Sequence, residues 1–471
     1  MSLITQPRYL TENDMQRIHA ASLEILSKKG IVFESAAARD VFVKNGAKAD
    51  GNIIYIPSEL VERSLKQLPQ TFKLTAVNPD RSVVVGEGLA IHPAGGEVFV
   101  RTHAGERREG TLKDYSDLQK IYQYCDNIDM TGYQPVTPQD VPDRLNGLLC
   151  AREAFVYTDK PWLAPMAYVG RKEKAEILHL YDIVFGADFV RNNYVTWNVV
   201  CPESPLRYCE YACESIMVFS EYNQPTVLVS APMSGISSPI FPLSTILLSN
   251  AETLAGICLS QLVSPGVPVL PSASLTFANM KTASWECACP DTALMLAGAI
   301  QMYKEFYHLP ARAQTGVTSS KCIDYQAGFE TMQSLLLTAL MGVNVTSQSA
   351  GTLENLLTVS LEKTVIDDEV IARVRRLAGG FDTSDESLAL DAIFEVEHGR
   401  DYLTHDTTLD HFSEGFRESI SDWNTFEQWS AKPDREITDR AHQKVCEILE
   451  EAQPLLGRDE IKAIDDYIAS V

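Results

Sequence analysis

Apolar positions along this chain recur with two different periods. Thr11 to Lys29, Ala36 to Asn45 and Pro57 to Leu68 repeat them every three or four residues, which predicts three amphipathic helices at the start. Between Thr71 and Arg108 the strings KLTAVNP, SVVVG and EVFVRTHAGERRE carry β-branched runs punctuated by Asn-Pro and Gly. Such runs predict short antiparallel strands, an appended β layer in which Gly95-Gly96 makes a turn. From Thr111 onward, short apolar runs alternate with long amphipathic segments, the pattern of parallel strands joined by helical crossovers.

Eight such runs can be counted: NIDMTGYQPV, PWLAPMAYV, YVTWNVV, PTVLVSAPM, PVLPSASLT, ARAQTGVT, NVTSQSAG and DYLTH, the last ending at His405. Eight β/α units predict an α/β fold, a (β/α)8 TIM barrel with N-terminal helices and a small appended β layer. A doubly wound open sheet is the competing topology, but no GxGxxG follows the first run. The expected organisation is residues 1–110 for the helices and short strands, 111–410 for the catalytic barrel and 411–471 for a C-terminal helical extension.

Composition changes this picture little. Of 471 residues 45% are hydrophobic, ample for a large core, and a net charge of −23 disfavours nucleic acid and anionic membrane surfaces as partners. The most apolar stretch, Pro242 to Val263, is interrupted by Asn250, Glu252 and Gln261 and makes a poor bilayer span. The N-terminus lacks the layout of a secretory signal, and ten scattered cysteines suggest reduced thiols, so a cytoplasmic protein is expected.

In a barrel of this kind the chemistry lies where the strands end. The residues closing the runs are Tyr133, Gln134, Trp162, Tyr168, Trp197, Asn198, Met233, Ser234, Phe277, Arg312, Gln314, Gln348 and Glu354, with His398 and His405 flanking the last. Aromatic and neutral polar groups dominate, which suits a delocalised or quaternary cation held on ring faces. The histidines show no HxxxH or HExxH spacing. Cys209 with Cys213, or Cys287 with Cys289, could contribute to zinc, although no strand-end histidine completes a set. Asp367, Asp368 and Glu369 predict a solvated helix surface, and Lys321 and Asp324 a loop-to-helix turn.

Longer strings carry a resemblance. The segments APMSGISSPIFPLSTILLSNAETLAGICLSQLVSPGVPVL and PDTALMLAGAIQMYKEFYHLPARAQTGVTSSKCIDYQAGFETMQSLLLTALMGVNVTSQSAGTLENLLTVSLEKTVIDDEV resemble the trimethylamine methyltransferase family. So do LTENDMQRIHAASLEILSKKGI and LALDAIFEVEHGRDYLTHDTTLDHF, and the likeness spans about Leu10 to Glu451. It implies a barrel enzyme that moves a methyl group from a methylamine to Co(I) of a corrinoid, cobalamin, carried by a separate cognate corrinoid protein, in a one-carbon metabolism like that of methanogens. Founding members carry pyrrolysine in a segment similar to TGVTSSK, Thr315 to Lys321, where this chain has only standard residues.

The resemblance therefore points to the branch without pyrrolysine, which takes quaternary amines. Glycine betaine, giving dimethylglycine, is the first expectation. A quaternary ammonium has a good neutral leaving group, so the protein has mainly to position and desolvate it. A betaine also needs donors for its carboxylate, and Arg312, Gln134, Asn198, Gln314, Gln348, His398 and His405 are candidates, with Glu354 for the ammonium or a water. No metal is expected on this chain, and a homo-oligomer is left open. Two other readings stand beside this one: a zinc-dependent methyltransferase acting on a thiol or alcohol, and a barrel that binds a betaine without catalysis.

Overall fold

A computed structural model describes residues 7–165 and 170–471. Eight parallel strands follow one another in chain order: β1 (Ala90–Ile91), β2 (Thr131–Gly132), β3 (Trp162–Leu163), β4 (Asn198–Val200), β5 (Thr226–Ser230), β6 (Val269–Ala273), β7 (Arg312–Gln314) and β8 (Val345–Ser347). Each is followed by a helix: Leu112–Tyr124, Asp143–Tyr157, Arg171–Phe185, Glu210–Glu221, Pro242–Val263, Pro290–Gln301, Tyr325–Leu340 and Leu361–Gly379. β4 to β8 pair in sequence, and β8 pairs back to β1 in a six-stranded sheet, while β2 and β3 form a separate pair. Ile91 O accepts from Asp129 N and Met130 N, which joins β1 to the approach of β2. No ladder joins β3 to β4 among the described residues. The fold is thus mixed α/β, with parallel strands and alternating helices as the periodicity predicts.

Two assignments change. The first strand, β1, lies in GLAIHPAGG, inside the segment expected to be an appended antiparallel layer. DYLTH is not a strand: Tyr402 to His405 form a turn before the short helix Asp406–His411. Asp401 to Thr404 are all exposed, so this string has no face to bury against a sheet.

Several helices start where their side chains dictate. Thr111 and Asp114 form a capping box at Leu112–Tyr124, and Asp324 and Ser360 cap Tyr325–Leu340 and Leu361–Gly379. The helix Pro242–Val263 is long and apolar enough to cross a membrane, yet it is mostly buried within the fold. Its polar residues serve tertiary contacts. Glu252 accepts from Ser204 Oγ (2.8 Å), Leu206 N (2.7 Å) and Ser230 Oγ (2.6 Å), while Asn250 donates to Ser22 Oγ and Tyr307 Oη and Gln261 closes the turn at Gly266 and Val267.

The acidic triplet is likewise no solvated surface. Asp367 binds Lys363 (2.6 Å) and Gly351 N, Asp368 holds Asn127, and Glu369 accepts from the backbone of Ser419, Ile420 and Ser421. Consecutive helix positions diverge, so each carboxylate anchors a different segment. Ten free cysteines complete the inventory.

The core has an inner and an outer part. Residues Ala90, Met130, Leu163, Trp197, Val199, Val227, Val229, Leu270 and Val345 pack together on one face of the parallel strands, while their sequence neighbours, such as Ile91, Trp162, Val200 and Leu228, pack on the helices. The hairpin Phe72–Leu74 with Val83–Val85 adds Phe72, Leu74 and Val85 to the inner cluster, and Thr75 N donates to Tyr194 O just ahead of β4. That hairpin closes the amino-terminal end of the strands.

Candidate active site

A cavity of about 580 Å³ opens at the carboxyl-terminal ends of the strands, a size ordinary for small-molecule sites. Its wall takes one or two residues from each of several strand ends: Gly95 and Gly96 after β1, Tyr133 after β2, Cys201 after β4, Ala231 after β5, Gln314 from β7 and Gln348 after β8. Deeper in, Val199, Val229 and Arg312 line it. The inward parity of each strand delivers these side chains, because alternate residues face the same way.

Arg312 is the dominant charge. It is 2% exposed, its Nη1 donates to Ser272 Oγ at 2.8 Å, and its Nε has no partner. No carboxylate lies within ion-pairing distance of it among the described residues. Burial draws its basicity down, with Tyr133 and Cys201 acting in the opposite sense, but a guanidinium remains charged. Beside it, His92 is buried with both ring nitrogens unpartnered. Burial first, and the Arg312 charge second, hold His92 well below its ordinary range, so the ring is neutral. It meets Tyr133 edge to face at 5.0 Å between ring centres.

Glycine at position 95 is a requirement of this packing. A Cβ there would stand 2.1 Å from Tyr133 Cε1. Tyr133 and Gln348 both hold left-handed backbone conformations, φ 56° each, and Gln348 Nε2 donates to Gly95 O at 3.0 Å. Glu97, just beyond, is fully buried: Oε1 accepts from Thr352 Oγ1 at 2.7 Å, Oε2 has no partner, and burial pushes its carboxyl up to about 8.

The facing wall is a turn in which Glu354, Asn355 and Leu356 are all left-handed. Three non-glycine residues in that region need outside support. TGVTSSK supplies it: Glu354 N donates to Ser320 O (2.7 Å) and Asn355 N to Thr318 O (2.9 Å). Glu354 accepts from Arg107 Nε (2.7 Å) and Thr358 Oγ1 (2.6 Å); burial raises its carboxyl, but these bonds and the Arg107 charge leave it below the usual range. Lys321 lines the rim with Nζ on Ser319 O, and Asp324 caps the next helix as the sequence suggested. Trp285, from the hairpin Thr276–Asn279 with Ser284–Glu286, completes the open side.

Of the residues expected at the site, Tyr133, Arg312, Gln314, Gln348 and Glu354 come together in this cavity. Trp162 points outward, packed on Phe155 (4.3 Å) and donating to Thr158. Trp197 belongs to the inner apolar cluster ahead of β4, below the cavity. Asn198 has the opposite parity to Trp197 and Val199, and its Nδ2 is buried without a partner. Gln134 lies beside Asn146, Phe277 packs on the outer cluster with Met295 and Leu296, and Ser234 bonds to Ile240 O. His398 is exposed, and His405 caps the helix Asp406–His411 and contacts Glu395, so neither reaches the cavity. Tyr168 lies outside the described residues. His92 reads in sequence only as a structural histidine, and Glu97, Cys201 and Trp285 carry no reading; for His92 and Glu97 the Gly-Gly after a short apolar run is the available signal. Neither cysteine pair proposed for zinc joins a three-ligand group among the described residues.

The sequence profile named Trimethylamine methyltransferase (MTTB) matches residues 2–470. The chain belongs to the trimethylamine methyltransferase family. Within that family it is 32% identical over 462 residues to glycine betaine methyltransferase of Desulfitobacterium hafniense (strain Y51), covering 97% of this chain and 96% of that one. It is 29% identical to trimethylamine methyltransferase of Methanosarcina barkeri, over 94% of this chain and 90% of that one. The fold is similar to the crystal structure of the Methanosarcina barkeri monomethylamine methyltransferase, with a TM-score of 0.54 at 12% identity, over 93% of this chain and 88% of that one.

Proposed function

We propose that this protein is a quaternary-amine methyltransferase whose substrate is a betaine, with glycine betaine first, and whose methyl acceptor is a corrinoid on a separate protein. The observation that carries the substrate class is Arg312, a buried guanidinium facing the cavity with no carboxylate of its own. A zwitterion supplies that carboxylate, and a charge-assisted bidentate bond is the strongest partner a guanidinium takes. A simple cation such as choline or trimethylamine would instead meet uncompensated positive charge at the closed end.

With the carboxylate on Arg312, the trimethylammonium head would face Tyr133 and Trp285, whose ring faces attract a cation that cannot donate hydrogen bonds. Gln314 and Gln348 would add neutral donors. The one thiol on the cavity wall, Cys201, is a poor methyl acceptor, since burial pushes it up to about 11 with Arg312 only partly opposing. That fits an acceptor delivered from outside: a corrinoid bound at the open side would supply the Co(I) nucleophile for the methyl carbon, with the tertiary amine leaving. The chain's own part is to orient the N–CH₃ bond towards that opening and keep water from the cation.

For the fold, we read the eight strands as a (β/α)8 barrel running from Ala90 to Gly379, closed in shape though not by a continuous ladder. This moves its start upstream of residue 111 and leaves 380–471 as the C-terminal extension. A reducing cytoplasm suits the ten free thiols.

The decisive assay gives the purified protein Co(I) cobalamin and, in parallel, glycine betaine, proline betaine, carnitine and choline. Methylcobalamin and dimethylglycine should form with glycine betaine, and turnover of choline at an equal rate would remove the carboxylate argument.

A further inference from the structure

Outside the cavity, three segments remote in sequence converge on one surface point. His103 sits in the turn between the strands Phe99–Arg101 and Arg107–Glu109, Glu362 in the first turn of Leu361–Gly379, and His442 on the helix Ile437–Glu451. Each can bring one ligand atom within 4.8 Å of the other two. His442 Nδ1 meets Glu362 Oε1 at 2.8 Å, and the two imidazoles stack at 4.1 Å between ring centres and 11° apart.

We propose that His103, Glu362 and His442 form a divalent transition-metal site of the zinc class. Two imidazoles and a carboxylate are a donor set that zinc takes readily. Tetrahedral bonds of about 2.0–2.1 Å set neighbouring ligand atoms roughly 3.3 Å apart, so closing the cluster takes a contraction of these side chains and a rotation of one imidazole out of the stack, because two near-parallel rings cannot both aim a nitrogen lone pair at one ion. The His442–Glu362 contact occupies the place of two metal bonds.

The surroundings complete the set. Glu362 is 7% exposed and its other oxygen accepts from Ser360 Oγ at 3.1 Å, which fixes the carboxylate. Both histidines are over a third exposed, leaving an entry path. On the helix that carries His442, Cys446 Sγ lies 3.8 Å from His442 Nε2 and Asp439 Oδ1 3.7 Å from His103 Nε2. Each lies against a ring nitrogen and stands as a partner orienting that ring.

A metal here would clamp the hairpin Phe99–Glu109 to the C-terminal helix Ile437–Glu451. The same hairpin supplies Arg107 to Glu354 on the cavity wall, so the clamp would brace that wall from behind.

The test uses full-length protein stripped with a chelator, titrated with zinc chloride by calorimetry and melted with and without the metal. One zinc per chain should bind and raise the melting temperature. His103→Ala and His442→Ala should each weaken binding by more than about tenfold and remove the melting shift. The metal-free variants should melt close to the parent, because both rings are substantially exposed. Cobalt loaded in place of zinc should give a visible absorption band that disappears in the same variants. Zinc uptake and stabilisation that persist unchanged in both variants would assign the metal to thiols elsewhere and overturn the site, as would folded protein that takes up no zinc at neutral pH.

Discussion

The two ends of the parallel strands have opposite characters. At the amino-terminal end, Trp197, Phe72, Leu74 and Val85 pack together as an apolar plug. At the carboxyl-terminal end, Arg312, His92 and Glu97 are buried with unpartnered polar atoms, and Tyr133, Gln348 and the turn Glu354 to Leu356 hold left-handed backbone. Stability is concentrated at one end, and groups poised for a ligand at the other. Packing continuity through Val199, Val229 and Val345 lets the first support the second.

Substitutions can break or sharpen that contrast. The largest effect belongs to the plug: Trp197→Ala should destabilise the fold by about 3–5 kcal/mol in denaturant melts. Its KM for the betaine should stay near the parent at a temperature where it is folded; a raised KM with unchanged stability would place Trp197 in the site after all.

Next comes Glu97. Its carboxyl titrates at about 8 when folded, against an ordinary value of 4.5. The native state therefore holds a proton that the unfolded chain releases, and stability falls as pH rises from about 4.5 to 8. Glu97→Gln keeps the neutral shape and should flatten that decline by about 4 kcal/mol, read as melting temperature against pH. Parallel curves for the two proteins would show a carboxyl that ionises without penalty.

Arg312→Gln should lower kcat/KM for glycine betaine by about 2–3 kcal/mol, roughly 30- to 150-fold, the range for removing one partner of a buried charge pair. Melting temperature should stay level or rise, because the substitution removes an unpaired buried charge. A fall in stability without loss of betaine selectivity would make the arginine structural. The smallest change is Trp285→Ala, which should weaken betaine binding by about 0.5–2 kcal/mol if its ring faces the ammonium.

The same contrast explains what could be read from sequence. β4 to β8 were legible because strands buried on both faces are continuous apolar runs bounded by turns. That very continuity hid their parity: with both faces apolar, nothing in YVTWNVV says whether Trp197 or Asn198 faces inward, and nothing in PWLAP says that Trp162 packs on Phe155. β1 was missed because it spans two residues between Gly and Pro, and its inward histidine looks polar in sequence. Arg312, Gln314, Gln348 and Glu354 were found because position at a strand end is legible even where orientation is not. Trp285 comes from a hairpin of another crossover, a juxtaposition only the folded chain makes.

The plug also has a consequence for the order of events. Phe72, Leu74 and Val85 pack into the inner cluster at one end, while the cavity opens at the other, where the proposed methyl acceptor would dock. The small molecule then has to enter before the macromolecule docks, and the demethylated product stays until it departs. Kinetics of this chain should accordingly show a preferred binding order, with excess corrinoid partner acting as an inhibitor by covering the open side of the cavity.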